Sequence, residues 1–121
     1  MKRSKPGNAR SAARLAAVQA LYQIQVSGGG AYEVVREFIE HRLGTEIEGD
    51  QFIDADTEFF DDVVSGSVQR TEEIDQLISD ALSASWSLDR LERLMRALLR
   101  AGTYELVARP DVPTKVIIDE Y

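Results

Sequence analysis

Apolar residues recur along this chain every three or four positions, which is the spacing that one face of an α-helix requires. The first such segment spans residues 9–26, with Asn8 as its predicted N-cap, and alanines cover most of the helix surface that the larger apolar residues leave. A helix that is small or apolar nearly all round is usually central in its bundle. No segment shows the two-residue alternation of strands. The pattern therefore predicts an all-α fold with no sheet.

The same periodicity predicts four further helices and a shortened sixth. They cover residues 31–43, a segment after Asp56 that contains Gly66, a segment capped by Thr71, residues 88–107 capped by Ser87, and the final residues from Pro113. A glycine inside a helix suggests close helix contact or a small kink at Gly66. The residues predicted to form the core are Leu15, Val18, Leu21, Phe38, Phe59, Val63, Leu77, Leu94, Leu98 and Leu99.

Three local patterns that invite a binding site have simpler explanations. The glycine run at residues 28–30 lacks the lysine of a phosphate-binding loop and predicts a helix end followed by a linker. Asp54, Asp56 and Glu58 alternate like the start of a calcium-binding loop, but Phe59 stands where the turn glycine belongs, so N-capping is the better interpretation. His41 falls on the polar face of the second helix and is predicted to be a surface residue.

Composition narrows the classes of protein further. The chain has 121 residues, one histidine and no cysteine, which predicts one domain without disulfides, a metal site or a cofactor. With one histidine and no cysteine, the chain has few residues for a catalytic triad. No apolar run approaches the roughly 18 residues of a membrane span, and the predicted location is the cytoplasm.

The net charge of −7 is unevenly distributed along the sequence. The first 14 residues contain five cations and no acid, whereas residues 15–89 contain only Arg36, Arg42 and Arg70 against many acids. Residues 1–8 are predicted to be a flexible basic arm that precedes a single helical domain over residues 9–121. Such an arm either binds phosphates or merely aids solubility. The arginine stripe of Arg93, Arg96 and Arg100 is likewise either a phosphate track or a solvated face.

The end of the sequence predicts an incompletely covered helix. Val116, Ile117 and Ile118 are strongly apolar, and the chain stops at Tyr121 without a capping residue. We expect the apolar face of this helix to be partly uncovered or covered by a partner chain. The sequence also suggests that more protein should follow.

Three collinear segments together resemble one known family. Residues 9–23 read ARSAARLAAVQALYQ, residues 98–106 read LLRAGTYEL, and residues 111–120 read DVPTKVIIDE. They are similar in order and spacing to the arginine-rich first helix with its AVQALY core, the LR-x-A-x-YEL signature and the DVP-x-KV segment of the NusB transcription antitermination factors. The resemblance covers essentially the whole chain.

This resemblance implies about seven helices in two sub-bundles and no enzymatic activity. Family members bind boxA, a single-stranded element of ribosomal RNA leader transcripts, together with the ribosomal protein NusE, and act with other Nus factors on elongating RNA polymerase. Their RNA-contacting basic residues fall here on Lys2, Arg3, Lys5, Arg10 and Arg14. The family's partner-facing aromatic falls on Tyr22. Arg93, Arg96 and Arg100 are the secondary RNA candidates.

Two departures from the family pattern keep other functions open. Ser11 and Ala12 stand where the family often has arginine, and the family's final helix with its F-V-N-G-V-L-D motif is absent. One alternative is a NusB-like domain that docks RNA for a longer RNA cytosine methyltransferase. Another is a helical homodimeric scaffold that binds no RNA.

Overall fold

Helix α1 (Pro6–Ser27) is the central element of the fold and packs against three other helices. The computed structural model describes residues 6–41, 46–47, 50–51, 56–82 and 87–121. The remaining elements are α2 (Ala31–His41), β1 (Glu46–Ile47), β2 (Asp50–Gln51), α3 (Thr57–Gln69), α4 (Thr71–Ala81), a 3₁₀ turn (Leu88–Arg90), α5 (Arg93–Ala108) and α6 (Thr114–Glu120). The neighbours of α1 are α2, α3 and α5, while α4 and α6 pack against α5. The all-α prediction is confirmed.

The expectation of no sheet misses one small feature. Strands β1 and β2 form an antiparallel pair in which Glu46 faces Gln51 and Ile47 faces Asp50. Each strand has two residues, which is too short for an alternating pattern to be recognised in the sequence. The pair follows α2 and precedes α3 in the sequence and does not alter the helical architecture.

The predicted helix ends are partly confirmed. Helix α1 begins at Pro6 rather than after Asn8, since proline is well suited to a first helical turn. Residues 6–8 of the predicted arm are therefore helical. Gly28 ends α1 with a φ of 72° and donates its N–H to the carbonyl of Ile24, as the glycine run predicted. Asp56 caps α3 by accepting the N–H of Phe59 at 3.0 Å.

Two predicted caps are wrong. Thr71 is the first residue of α4, and its hydroxyl donates to carbonyls at the end of α3 instead of capping α4. Ser87 precedes only the 3₁₀ turn, because Leu91 and Glu92 adopt extended backbone and the α-helix starts at Arg93. The predicted single helix over residues 88–107 is therefore two elements.

The core confirms half of the predicted residues. Val18, Leu21, Phe38, Phe59 and Val63 are buried, and the rings of Phe38 and Phe60 stack at a centroid distance of 5.6 Å. Leu98 and Leu99 are partly buried against the core. The burial predicted for three leucines is wrong, because Leu15, Leu77 and Leu94 are 63%, 43% and 53% exposed.

Small residues explain the exposure of Leu15. The buried side of α1 consists largely of Ala13, Ala16, Ala17 and Ala20. Alanines let neighbouring helices approach closely, so the face with the smallest side chains lies inward and Leu15 is turned towards solvent. In α4 the buried positions are Ile74 and Ile78, which leaves Leu77 beside them at the surface.

The last helix is covered on one side only. Ile117 is buried, whereas Val116 and Ile118 are 40% and 64% exposed. The expected partly uncovered apolar face is thus present. None of the described helices is long and apolar enough to cross a membrane.

Candidate nucleic-acid interface

Three arginines converge on the ring of Phe59. The guanidinium carbons of Arg10, Arg14 and Arg109 lie 4.7, 5.0 and 4.8 Å from its centroid. Arg10 and Arg14 come from the first turns of α1, and Arg109 is the C-cap of α5. An aromatic face attracts cations, but the acidic partners of the three arginines differ and decide what each of them can bind.

The guanidinium of Arg14 is bonded to acids in the interior of the protein. Its Nε and Nη2 donate to the carboxylate of Glu105 at 2.8 and 3.1 Å, and its Nη1 donates to Oε1 of Glu120 at 3.0 Å. The side chains of Arg14 and Glu105 are 5% and 0% exposed. Burial acts to lower the pKa of Arg14, but the bonds to Glu105 and Glu120 raise it. Arg10 and Arg14 both lie over Phe59, but the guanidinium of Arg14 is committed to acids inside the protein.

The last residue completes this buried cluster. The hydroxyl of Tyr121 donates to Oε2 of Glu105 at 2.5 Å. Burial, followed by this bond to the carboxylate, raises the pKa of Tyr121. Ser11 donates to Glu120, and its bond, with that of Arg14, lowers the pKa of Glu120. The cluster ties α1 to α5 and α6.

Arg109 was not singled out by the sequence and is also held by acids. It makes two 3.0 Å bonds to Asp111 and one of 3.0 Å to Asp62. Asp62 in turn accepts the hydroxyl of Tyr104 at 2.7 Å. The bonds from Arg109 lower the pKa of Asp111, and those from Asp111 and Asp62 raise the pKa of Arg109. The feature of the sequence that could have indicated these bonds is the two-residue spacing of Arg109 and Asp111.

Arg10 is held much more loosely. Its Nε lies 3.6 Å from Asp56 and its Nη1 lies 3.7 Å from Asp111, and both distances exceed a good hydrogen bond. About a third of the side chain is exposed. Of the three arginines on Phe59, Arg10 is therefore the one whose donors are available to a ligand. Lys2, Arg3 and Lys5 lie outside the described residues, immediately upstream of α1.

The predicted arginine stripe on α5 is not a uniform surface. Arg100 makes two 2.8 Å bonds to Asp75 and so links α5 to α4. Arg96 is partly buried, and its Nε has no acceptor among the described residues. Arg93 is exposed at the start of the helix. The three residues are neither one continuous phosphate track nor one solvated face.

Two depressions lie at opposite ends of α1. The first, of about 390 Å³, separates the first turns of α1 from α6 and includes Arg10 in its lining; we call it the α1–α6 recess. The second, of about 400 Å³, is formed by the end of α1 and the start of α5; we call it the α1–α5 groove. Tyr22 lines this groove and is 41% exposed, as a partner-binding residue must be.

The remaining polar candidates behave as surface residues. The side chain of His41 is 71% exposed, which confirms its predicted surface position. Asp54 lies outside the described residues. Among those described, no group of histidine and carboxylate side chains is arranged to hold a metal ion.

The buried hydroxyl of Tyr104 is expected to make stability sensitive to alkaline pH. Burial, followed by the bond to Asp62, raises its pKa to about 12, against about 10 in an unfolded chain. Between these values the unfolded state releases the proton and the folded state retains it, so we expect stability to decrease as pH rises from about 10 to 12. Urea unfolding across this range should show a shallower decrease for Tyr104→Phe than for the unchanged protein. Parallel curves would show that Tyr104 does not contribute this dependence.

Comparison with known proteins identifies the family. The family model described as "NusB family" matches residues 11–121. A curated relative from Nitrobacter hamburgensis, named "Transcription antitermination protein NusB", is 52% identical over 97% of this chain and 73% of its own length. Proteins of the same name from Nitrobacter winogradskyi and Agrobacterium fabrum are 54% and 53% identical, covering 94% and 97% of this chain and 71% of their own lengths.

A solved structure supports the same assignment. A chain in "Crystal Structure of a Plectonemic RNA Supercoil" superimposes with a TM-score of 0.72 at 28% identity and covers 93% of this chain and 76% of that chain. The family match, the curated relatives and the helical fold agree over nearly the same residues. The protein belongs to the bacterial NusB family of transcription antitermination factors, which are not enzymes.

Proposed function

We propose that the protein binds the boxA element of ribosomal RNA leader transcripts through its basic N-terminal residues and Arg10. In this role it acts with NusE and the other Nus factors on elongating RNA polymerase in the cytoplasm. The observation that carries the proposal is the loosely held guanidinium of Arg10, at the end of α1 that follows Lys2, Arg3 and Lys5. The proposal does not include Arg14, because its side chain is 5% exposed and its guanidinium is bonded to Glu105 and Glu120.

An acidic protein can still bind RNA at a cationic end. Screening at physiological salt limits exposed charges to a range of about 8 Å, so the acidic residues far from α1's first turns have little effect there. Phosphates of a single strand each contribute about −0.7 to the slope of log affinity against log salt. The four remaining cations therefore give a slope of about −2.8, against about −3.5 for the five basic residues suggested by sequence.

The α1–α5 groove supports the contact with NusE. It presents Tyr22, Val26 and Leu94, which are 41%, 49% and 53% exposed. Aromatic and aliphatic side chains around a shallow groove are typical of the apolar centre of a protein interface. The acidic middle of the chain complements a basic ribosomal protein. One helix, α1, thus carries the RNA contact at its start and the protein contact at its end.

The lengths of the relatives favour this function over docking RNA for a methyltransferase. The 117 residues aligned with the Nitrobacter hamburgensis protein are 73% of that relative, so the relative is not several times longer than this chain. The scaffold alternative differs from both because it predicts no salt-dependent binding of RNA.

Replacing Arg10 by alanine tests the RNA contact directly. We expect the affinity for a boxA oligonucleotide to decrease several-fold and the salt slope to flatten by about 0.7, because one phosphate contact is lost. The change leaves α1 intact, since alanine is a strong helix former. Fluorescence anisotropy at several salt concentrations, with and without NusE, measures both quantities.

Arg70→Ala is the matched control for this experiment. Arg70 is paired with Glu73 at the opposite end of α3 from Asp56, so its loss should leave affinity and slope unchanged. If Arg10→Ala folds normally and behaves like Arg70→Ala, the RNA contact lies elsewhere and the proposed role of Arg10 is wrong. If the unchanged protein binds no RNA even with NusE, the proposed function itself is wrong.

A further inference from the structure

The α1–α6 recess has a mixed chemistry that a phosphate contact does not explain. Its walls include the arginines Arg10 and Arg14, the apolar residues Pro113 and Val116, and the acids Asp111 and Glu120. The recess has a volume of about 390 Å³ and is open to solvent beside Arg10 and Ser11 of α1. A phosphate requires only cations and N–H donors, so the apolar wall and the acids point to another part of a nucleotide.

The local charge disfavours a phosphate inside the recess. The two arginines that line the recess, Arg10 and Arg14, face the acids Asp111 and Glu120 there. Each is also paired with an acid outside the lining, Asp56 for Arg10 and Glu105 for Arg14, so four carboxylates surround two cations. An anion placed among these acids is repelled, whereas a neutral ring with N–H donors is not. The phosphates are expected at the rim, where Arg10 and the basic residues before α1 meet solvent.

The acceptors of the recess have capacity for a further donor. Oε1 of Glu120 accepts from both Ser11 and Arg14, which leaves Oε2 without a donor among the described residues. Asp111 is fixed by Arg109, and each of its oxygens has a second lone pair. These ionised carboxylates accept hydrogen bonds only, so they select a ligand edge that carries donors.

We propose that the α1–α6 recess binds one unpaired guanine base of the RNA. The base stacks on the guanidinium plane of Arg10 against Pro113 and Val116, and its Watson–Crick edge donates to Glu120. This inference rests on the proposed RNA-binding function and adds base selectivity to it.

Guanine is the base that fits an acceptor-only edge best. Its N1–H and N2–H₂ groups are adjacent donors, so either can donate to Oε2 of Glu120, the oxygen that Ser11 and Arg14 leave open. Cytosine and adenine each place one amino group beside a ring-nitrogen acceptor, and uracil flanks its single N–H with two carbonyl oxygens. Single-stranded RNA is commonly recognised through unstacked bases that lie on arginine planes and are read on this edge.

Uridine oligomers with one altered central base test the proposal. Affinity is measured by fluorescence anisotropy for three oligomers, with guanosine, inosine or uridine at that position. We expect the guanosine oligomer to bind about tenfold more tightly than the uridine oligomer, and inosine, which lacks only the N2 amino group, to lie between them. The salt slope should be the same for all three, because their phosphates are identical.

Two glutamine variants test whether the guanosine preference arises in the α1–α6 recess. Val116→Gln fills the recess, whereas Ile118→Gln places the same side chain on the same helix outside its lining. Both sites are exposed, and thermal unfolding checks that both variants fold. The guanosine preference should decrease to about twofold or less in Val116→Gln and persist in Ile118→Gln.

The outcomes separate this proposal from the function on which it rests. Salt-dependent binding with equal affinity for the three oligomers overturns the guanine site and leaves the phosphate contact intact. A guanosine preference that survives Val116→Gln places base recognition outside the recess and also overturns the proposal. Absence of binding to every oligomer and to boxA overturns the RNA function itself.

Discussion

Replacing Arg14 by methionine is expected to lower the free energy of unfolding by about 3–5 kcal/mol, because the change leaves Glu105 as a buried charge without its partner. The carboxylate of Glu105 is completely buried and accepts from both Arg14 and Tyr121. Methionine keeps much of the volume and the helix propensity of arginine, so the loss reports on charge rather than on packing. Urea unfolding at neutral pH measures it.

Two further variants interpret the result for Arg14. Arg36→Met removes an exposed arginine that pairs with Glu40 one turn along α2, and pairs exposed to solvent in this way contribute little to stability. Combining Arg14→Met with Glu105→Leu removes both buried charges and should recover most of the lost stability. If Arg14→Met costs no more than Arg36→Met, the pair with Glu105 does not stabilise the fold.

The burial of Arg14 changes how RNA-binding experiments must be designed. The sequence favours a double replacement of Arg10 and Arg14, because both residues lie on one edge of α1. Both also belong to the segment that resembles the first helix of the NusB family. The structure separates them into a loosely held surface cation and a buried structural one. Loss of RNA binding in the double variant would therefore also follow from unfolding, and Arg10 alone is the informative position.

Sequence periodicity predicted the helices better than it predicted the faces that they bury. In α2 and α3 large apolar residues alternate clearly with polar ones, and Val34, Val35, Phe38, Phe59 and Val63 are buried as that pattern requires. In α1 nearly every position is small or apolar, so the pattern defines no single face. The choice is made by close packing against α3 and α5, which favours alanines over Leu15.

The face of Leu94 was misjudged for a different reason. Periodicity through residues 88–107 assumes one continuous helix, in which Leu88, Leu91 and Leu94 share a side. The extended backbone at Leu91 and Glu92 breaks this continuity without a glycine or proline to signal it. Leu88 packs on the core, whereas Leu94 faces the α1–α5 groove.

The candidate site could be predicted only in part because its partners are distant in sequence. The position of Arg10 at the start of α1 followed from local pattern. The difference between Arg10 and Arg14 depends on Glu105 and Glu120, which follow Arg14 by 91 and 106 residues. No local signal shows which of two arginines one turn apart will meet a buried acid. The α1–α6 recess is likewise formed by two segments from opposite ends of the chain.

Replacing Gly66 by alanine is expected to destabilise the protein by about 2–3 kcal/mol, although alanine favours helices by about 1 kcal/mol over glycine. The ring of Tyr104 from α5 lies against Gly66 in α3, and a Cβ there would overlap its Cζ, Cε1 and hydroxyl oxygen. Tyr104 cannot move away cheaply, because it is buried and its hydroxyl donates to Asp62. The close helix contact predicted from sequence at Gly66 is therefore confirmed, and it is specific to this ring.

Gly102→Ala provides the matched comparison within the same pair of packed helices. A Cβ at Gly102 would lie 3.4 Å from the ring of Tyr121, an ordinary contact, so the gain in helix propensity should make this variant neutral or stabilised by up to about 1 kcal/mol. Urea unfolding of both variants measures the difference. In a Tyr104→Leu background, Gly66→Ala should lower the free energy of unfolding much less than it does in the unchanged protein, because the overlapping ring is gone. Equal stability of Gly66→Ala and Gly102→Ala would show that the approach of Tyr104 does not require a glycine in α3.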